Sequence, residues 1–185
     1  MKKLFILMLL AVASLSITAT NTFAQNNPKV GGAAMFSTKD IIDNAVNSKD
    51  HTTLVAAVKA AGLVDTLKGA GPFTVFAPTN AAFAKLPAGT VDTLLKPENK
   101  DTLTKVLTYH VVSGNLDSKA LMMQIKAGKG KAMLKTVSGG TLTATRKGNR
   151  IMLTDEKGGM SHITIANVRQ SNGVIHVVDS VMMPG

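Results

Sequence analysis

The hydrophobic period of this chain changes near Lys131, and that change limits the folds open to it more than any other feature. Before it, apolar residues recur at helical spacing: Leu103, Val106, Leu107 and His110 fall at i, i+3, i+4 and i+7. After it, they alternate: Ala132, Leu134 and Thr136 take turns with Met133, Lys135 and Val137, and Leu142 and Ala144 with threonines. A helix buries a stripe and a strand buries every second side chain, so the two parts call for different elements. Helices come first and sheet second, with one early strand and no internal repeat. That order predicts an α+β fold rather than an alternating βαβ one.

Within the helical part, Ser37 or Thr38 is placed to cap a short helix whose face carries Ile41, Ile42, Ala45 and Val46. Asp50 or Thr52 opens a second, with Leu54, Val55 and Val58 inward and Gly62 as its stop. Gly71-Pro72 breaks this pattern ahead of a strand over 73–77, and Thr79 or Asn80 caps a helix that carries Phe83 and ends at Pro87. Helical segments follow over 90–95 and 98–109, then extended Val111-Val112. Asp117 or Ser118 caps another helix, with Leu121, Met122 and Ile125 inward. In the sheet part, Gly148-Asn149 is a hairpin turn into Ile151 and Leu153, and residues 162–168 form a strand. Asn172-Gly173 then turns the chain into Val174–Val178, apolar on both faces and therefore central.

The first residues follow a different logic. Lys2 and Lys3 precede an apolar run from Leu4 to Ala13, and small and polar residues lead to Thr22-Phe-Ala24. This is the layout of a secretory signal peptide over 1–24, cleaved after Ala24. The run is shorter than the roughly 20 residues a membrane span needs. Residues 25–36, with Asn-Asn-Pro and Gly31-Gly32, read as a flexible leader with little to bury, and residues 37–185 as a single domain. Removal of the signal leaves 161 of 185 residues, enough for a core without staples. The chain has no cysteine, so disulfides, thiolate chemistry and a Cys-linked lipid are excluded. The expected product is secreted or periplasmic, without a transmembrane span, and is not a lipoprotein.

Charge is unevenly spread. Without Lys2 and Lys3 the basic count falls from 21 to 19 against 11 acids, a net charge of +8. From Ser118 to Thr154 there is no acid, while Lys119, Lys126, Lys129, Lys131, Lys135, Arg146, Lys147 and Arg150 fall in the same interval. Such a run either keeps a solvated face soluble or attracts a polyanion. No Phe, Tyr or Trp follows Tyr109, so the basic half has no platform on which bases could stack, and sequence-specific nucleic-acid binding is not expected.

Catalytic and metal-binding patterns fail one after another. There is no G-x-S-x-G, and Gly128-Lys-Gly-Lys131 lacks the spacing of a phosphate loop. His51, His110, His162 and His176 show no metal-ligand spacing, and His176 and Asp179 point to opposite faces of one strand. No cofactor and no enzyme activity are expected. The remaining candidate is the lone tyrosine, Tyr109, beside His110. The helical phase places His110 in line with Leu103 and Leu107, which favours a buried, hydrogen-bonded junction between helix and strand.

Three stretches, taken together, carry a resemblance. Phe73-Thr-Val-Phe-Ala-Pro-Thr-Asn-Ala-Ala-Phe83, Leu107-Thr-Tyr-His-Val-Val112 and Asn172-Gly-Val-Ile-His-Val-Val-Asp-Ser-Val-Met-Met-Pro184 occur in order. They resemble the motifs of the fasciclin domain family, in a single copy over roughly 37–184. The resemblance implies a twisted β-wedge packed with several helices and a role in adhesion rather than catalysis. In animal members it ties the Tyr-His motif to integrin binding, which makes Tyr109 and His110 binding candidates beside the eight basic residues. Partners are then extracellular or envelope polymers, an acidic polysaccharide or a surface protein, held partly by charge. An alternative is a carrier of an apolar lipid or pigment, its pocket lined by Met122-Met123 and Met182-Met183. Another is a self-associating structural component.

Overall fold

A computed structural model describes residues 27–185; the signal segment and its cleavage after Ala24 lie outside the described residues. Strands β1 (Lys29–Val30) and β2 (Ala33–Ala34) form a small hairpin. This corrects the expectation of a flexible leader over the part described. Gly31-Gly32 is a tight turn with positive φ at both residues, and Val30 and Met35 on either side of it are buried in the core.

The helical third holds α1 (Ile41–Ala45), α2 (Thr52–Ala61) and α3 (Val64–Lys68). Asp40, rather than Ser37 or Thr38, caps α1: its Oδ1 accepts from Asp43 N at 2.8 Å. Val46, grouped by phase with the buried face, stands exposed because the helix ends before it. The start of α2 has no cap of its own; Asn80, from a distant segment, accepts from Thr53 N at 3.0 Å. Its end is the expected one, Gly62 in the left-handed conformation at φ 73°.

β3 (Phe73–Pro78) then leads into α4 (Asn80–Phe83), whose first turn is capped by Thr79. α5 (Thr90–Leu94) and α6 (Lys100–Tyr109) follow, then β4 (Val111–Ser113) and α7 (Ser118–Ala127), which Asp117 caps. The rest is sheet: β5 (Lys131–Lys135), β6 (Thr141–Lys147), β7 (Arg150–Thr154), β8 (Met160–Gln170) and β9 (Gly173–Val178). One seven-stranded sheet has the order β4-β3-β9-β8-β7-β6-β5. All its pairs are antiparallel except β3 with β9, which is parallel with Phe73 opposite Gly173. The two end strands meet at one point, a bridge between Val112 and Thr136, so the sheet is almost closed on itself.

Burial of β9 at every position follows from two cores. On one face, Val75 and Ala77 of β3 and Ile175 and Val177 of β9 pack with Ile41, Leu54, Val58, Leu67 and Leu107. On the other, Phe76 and Val178 pack with Leu121, Ile125, Leu134, Leu142, Leu153 and Met182. Alternation thus gives each central strand a side chain in both cores. Asn172, in the β8–β9 turn, joins the helices to this sheet. Its Oδ1 accepts from Ile41 N at 3.1 Å, and its Nδ2 donates to Leu67 O at 2.8 Å and Gly69 O at 2.9 Å. Its neighbour must be Gly173, because a Cβ there would run into the Phe73 carbonyl.

Asn172→Ala removes the partner of three backbone groups, two of them buried. At roughly 1 kcal/mol per lost bond it is expected to cost about 3 kcal/mol of stability. Denaturant unfolding with an unchanged m-value checks this; a loss below about 0.5 kcal/mol would mean the bonds are dispensable.

Candidate interaction site

α6 delivers Tyr109 and His110 to the boundary between the two cores. Leu103 and Leu107 face the helical core, whereas Tyr109 belongs to the sheet core. Tyr109 is fully buried; its hydroxyl donates to Thr141 O at 2.8 Å and accepts from Glu156 N at 3.1 Å. Desolvation, with the acids Glu156 and Asp155 adding to it, pushes the phenol up to about 12. Gly140 lies flat against the ring, where a Cβ would come within 2.7 Å of it. His110 is also buried; Nδ1 is 2.8 Å from Val106 O, and Met182 N donates to Nε2 at 3.0 Å. A carbonyl on one side and an N–H on the other fix a neutral ring with its proton on Nδ1. Burial holds its pKa down at about 4. Both side chains are therefore spent inside the protein and present no polar atom to a partner.

The eight basic residues are all exposed, and none forms an ion pair among the described residues. The fold does not gather them into one patch. On β5, β6 and β7 the inward side chains are Ala132, Leu134, Leu142, Ala144, Ile151 and Leu153. Lys131, Lys135, Lys147 and Arg150 consequently share the outer face, where Lys131 stands opposite Thr145 and Lys147 opposite Arg150. α7 covers the inner face through Leu121 and Ile125, which carries Lys119 and Lys126 to the other side of the layer. Lys129 sits in the connecting turn at φ 56°. Arg146 curls back, its Nε donating to Gly148 O at 2.7 Å. Four of the eight therefore make a common surface.

Other groups could not be found from spacing. His162 Nδ1 lies 3.4 Å from Asp179 Oδ2, and its backbone N–H donates to the same carboxylate at 2.8 Å. His176 is buried, stacked on Phe76 at 5.7 Å, with Nε2 2.8 Å from Leu116 O. A cavity of about 50 Å³ lies in the helical core, lined mostly by apolar side chains including Met35, Ile42, Leu54, Val58 and Ile175. His51 lines it too: Nδ1 is 2.8 Å from Ser48 Oγ, but Nε2 is buried with no completed hydrogen bond, only the Ala77 backbone approaching. The methionine pairs expected to line such a pocket are elsewhere. Met182 fills the sheet core, Met122 packs partly buried against it, and Met123 is exposed.

The fasciclin domain model matches residues 49–184. The chain belongs to the fasciclin domain family. Protein sll1483 of Synechocystis is 46% identical over 155 residues, covering 84% of this chain and 79% of that protein. Immunogenic protein MPB70 of Mycobacterium bovis is 36% identical over 168 residues, covering 88% and 78%. Cell surface glycolipoprotein MPB83 of the same species is 33% identical, covering 87% and 68%. Among solved structures, the domain pair of the insect cell adhesion molecule Fasciclin I superposes with a TM-score of 0.67 at 16% identity. That match covers 77% of this chain and half of the pair. Of these, MPB83 is described as a cell surface protein and Fasciclin I as a cell adhesion molecule, and this fasciclin domain shares the fold of the latter. Among its described residues no helix is long and apolar enough to cross a membrane.

Two outcomes follow for the junction. Tyr109→Phe removes one hydroxyl that serves two backbone groups, and should cost about 1–2 kcal/mol in thermal or chemical unfolding while leaving surface binding intact. For His110 the folded value lies below the unfolded one, near 6.5, so the unfolded chain binds more protons between those values. The stabilisation is complete above about pH 6.5 and is lost as pH falls toward 4, on the order of 3 kcal/mol. His51 and His176, also held low by burial, act with the same sign. Unfolding free energies measured at pH 7.5 and 4.5 check this; equal values would contradict the neutral ring.

Proposed function

We propose that this fasciclin domain is an exported interaction module of the cell envelope or extracellular matrix that binds an acidic surface polymer, partly by charge. The observation that carries this reading is the outer face of β5–β7. Lys131, Lys135, Lys147 and Arg150 stand there without acidic partners, among threonines at 141, 143 and 145 that can donate and accept hydrogen bonds. Side chains of this kind suit a flexible polyanion. Each contact is worth little alone, and several held on one rigid sheet add up. The cell-surface and adhesion proteins among its relatives support the setting.

A second reading, a carrier of a small apolar ligand, would place that ligand in the apolar cavity beside His51, among Met35, Leu54 and Val58. At about 50 Å³ the cavity is well below the roughly 300–1,000 Å³ of ordinary ligand pockets, so a ligand there would require the surrounding side chains to repack. Extraction of natively purified protein, followed by mass spectrometry, would return a stoichiometric small molecule; an empty extract would dismiss this reading.

For the polymer reading, affinity for an acidic polysaccharide such as alginate is expected to fall steeply between low and physiological salt. Charge reversal at Lys131, Lys135, Lys147 and Arg150 together should abolish it. Reversal at Lys119 and Lys126, on the other side of the layer, should cost severalfold at most. Equal losses from the two sets, or none from the first, would refute the outer-face site.

A further inference from the structure

The outer face of the sheet continues past the basic strands onto β8, and its chemistry changes there. The inward side chains are Ile151 and Leu153 on β7 and Ser161 and Ile163 on β8, all of them buried. Met152 on β7 and Met160 and His162 on β8 therefore project outward together. Register sets them side by side: Met152 stands directly opposite His162, and Met160 opposite Thr154. Side chains directly opposite each other on one face are about 5 Å apart at Cβ, and two positions along one strand span about 7 Å. Methionine is unbranched and turns about three bonds, so both sulfurs can be brought to the imidazole.

Of the four histidines, His51, His110 and His176 are buried, and His162 alone is half-exposed. Its Nδ1 lies 3.4 Å from Asp179 Oδ2, and its backbone N–H holds the same carboxylate in place at 2.8 Å. A carboxylate beside one ring nitrogen favours the proton there and leaves the lone pair on the other, the arrangement found behind metal-binding histidines. Nε2 of His162 and the sulfurs of Met152 and Met160 have no hydrogen-bond partner among the described residues. Met133, exposed on β5, differs: its Sδ accepts from Thr143 Oγ1 at 3.5 Å, and the residue opposite it is that threonine rather than a histidine.

We propose that Met152, Met160 and His162 form a surface site for a soft monovalent metal ion, Cu(I). Donor type decides the ion. Thioethers select Cu(I) over harder ions, and an imidazole completes a set of three donors on one side of the metal. All three donors are neutral, and Lys85, whose Nζ donates to Asp179 O at 2.5 Å, offsets the charge of that carboxylate. Little negative charge is left to attract a divalent ion. Among the described residues, no three His, Asp or Glu side chains gather to hold one. The chain has no cysteine, so methionine is its only sulfur ligand. Spacing between histidines does not reveal this site, because two of its donors are methionines and one of those lies on another strand. The inference stands on strand register and donor chemistry and is independent of polymer binding by the lysines.

The test titrates the whole domain anaerobically with Cu(I), in competition with the chromophoric chelator bicinchoninate, and follows the methionine methyl signals by NMR. One equivalent should bind and shift the methyls of Met152 and Met160, leaving those of Met123 and Met133 in place. Met152→Leu, Met160→Leu and His162→Gln alter outward positions that the core does not use, and unfolding curves verify that each variant is folded. Each should weaken binding by about tenfold or more, whereas Met133→Leu should leave it unchanged. Ag(I), equally soft and without redox chemistry, should shift the same two methyls. Affinity unmoved by both methionine variants, methyl signals that stay in place, or Zn(II) holding the site as tightly as Cu(I) would each overturn the proposal.

Discussion

The parallel pairing of β3 with β9 is the constraint on which the rest of this structure depends. It joins residues 73–78 to residues 173–178, so most of the chain is the crossover between two adjacent strands. Parallel strands require such a crossover, and the usual form is a single helix. Here the crossover contains further helices and the five other strands of the same sheet. Each central strand sends alternate residues into opposite cores, which ties the helical and sheet halves into one cooperative unit. Asn172 completes the tie, because its amide bonds the start of α1 and the end of α3 just before β9 begins.

The Tyr109-His110 junction serves the same purpose from the other side. Its two rings lie where the cores meet, and each has its polar atoms taken by backbone groups: Thr141, Glu156, Val106 and Met182. A pair so enclosed locks α6 to the sheet and to the segment after β9. Neither side chain offers a polar atom to a partner. The surface proposed for recognition is the outer face of β5–β7. Rigid strands hold it in place, and its exposed side chains are free to vary in chemistry.

Much of the fold was legible because its signals are local. The stripe of Leu103, Val106 and Leu107 and the alternation of Ala132 and Leu134 each report one element's own buried side. Thr79 and Asp117 cap where a short oxygen-bearing side chain precedes a helix, and Gly62 ends one. Local signals failed where the partner was remote or where a turn looked like slack. Asn80 caps α2 from 27 residues away, which no window around Thr53 contains. Gly31-Gly32 looked like looseness, but it turns a hairpin whose Val30 is buried against distant helices.

The candidate site divides along the same line. Sequence alone determined that the chain is helical and then extended, that its last central strand is buried on both faces, that it resembles fasciclin domains, and that a basic interval holds no acid. Each of these rests on residue type and spacing along the chain. Only the tertiary structure decided that Lys131, Lys135, Lys147 and Arg150 share a surface while Lys119 and Lys126 lie across the layer. It also decided that the sheet almost closes through Val112 and Thr136 and that His51 lines a small apolar cavity. Side sharing depends on strand register and on which face a helix covers. Both are set by packing between segments far apart in the chain, and a one-dimensional pattern carries no record of that packing.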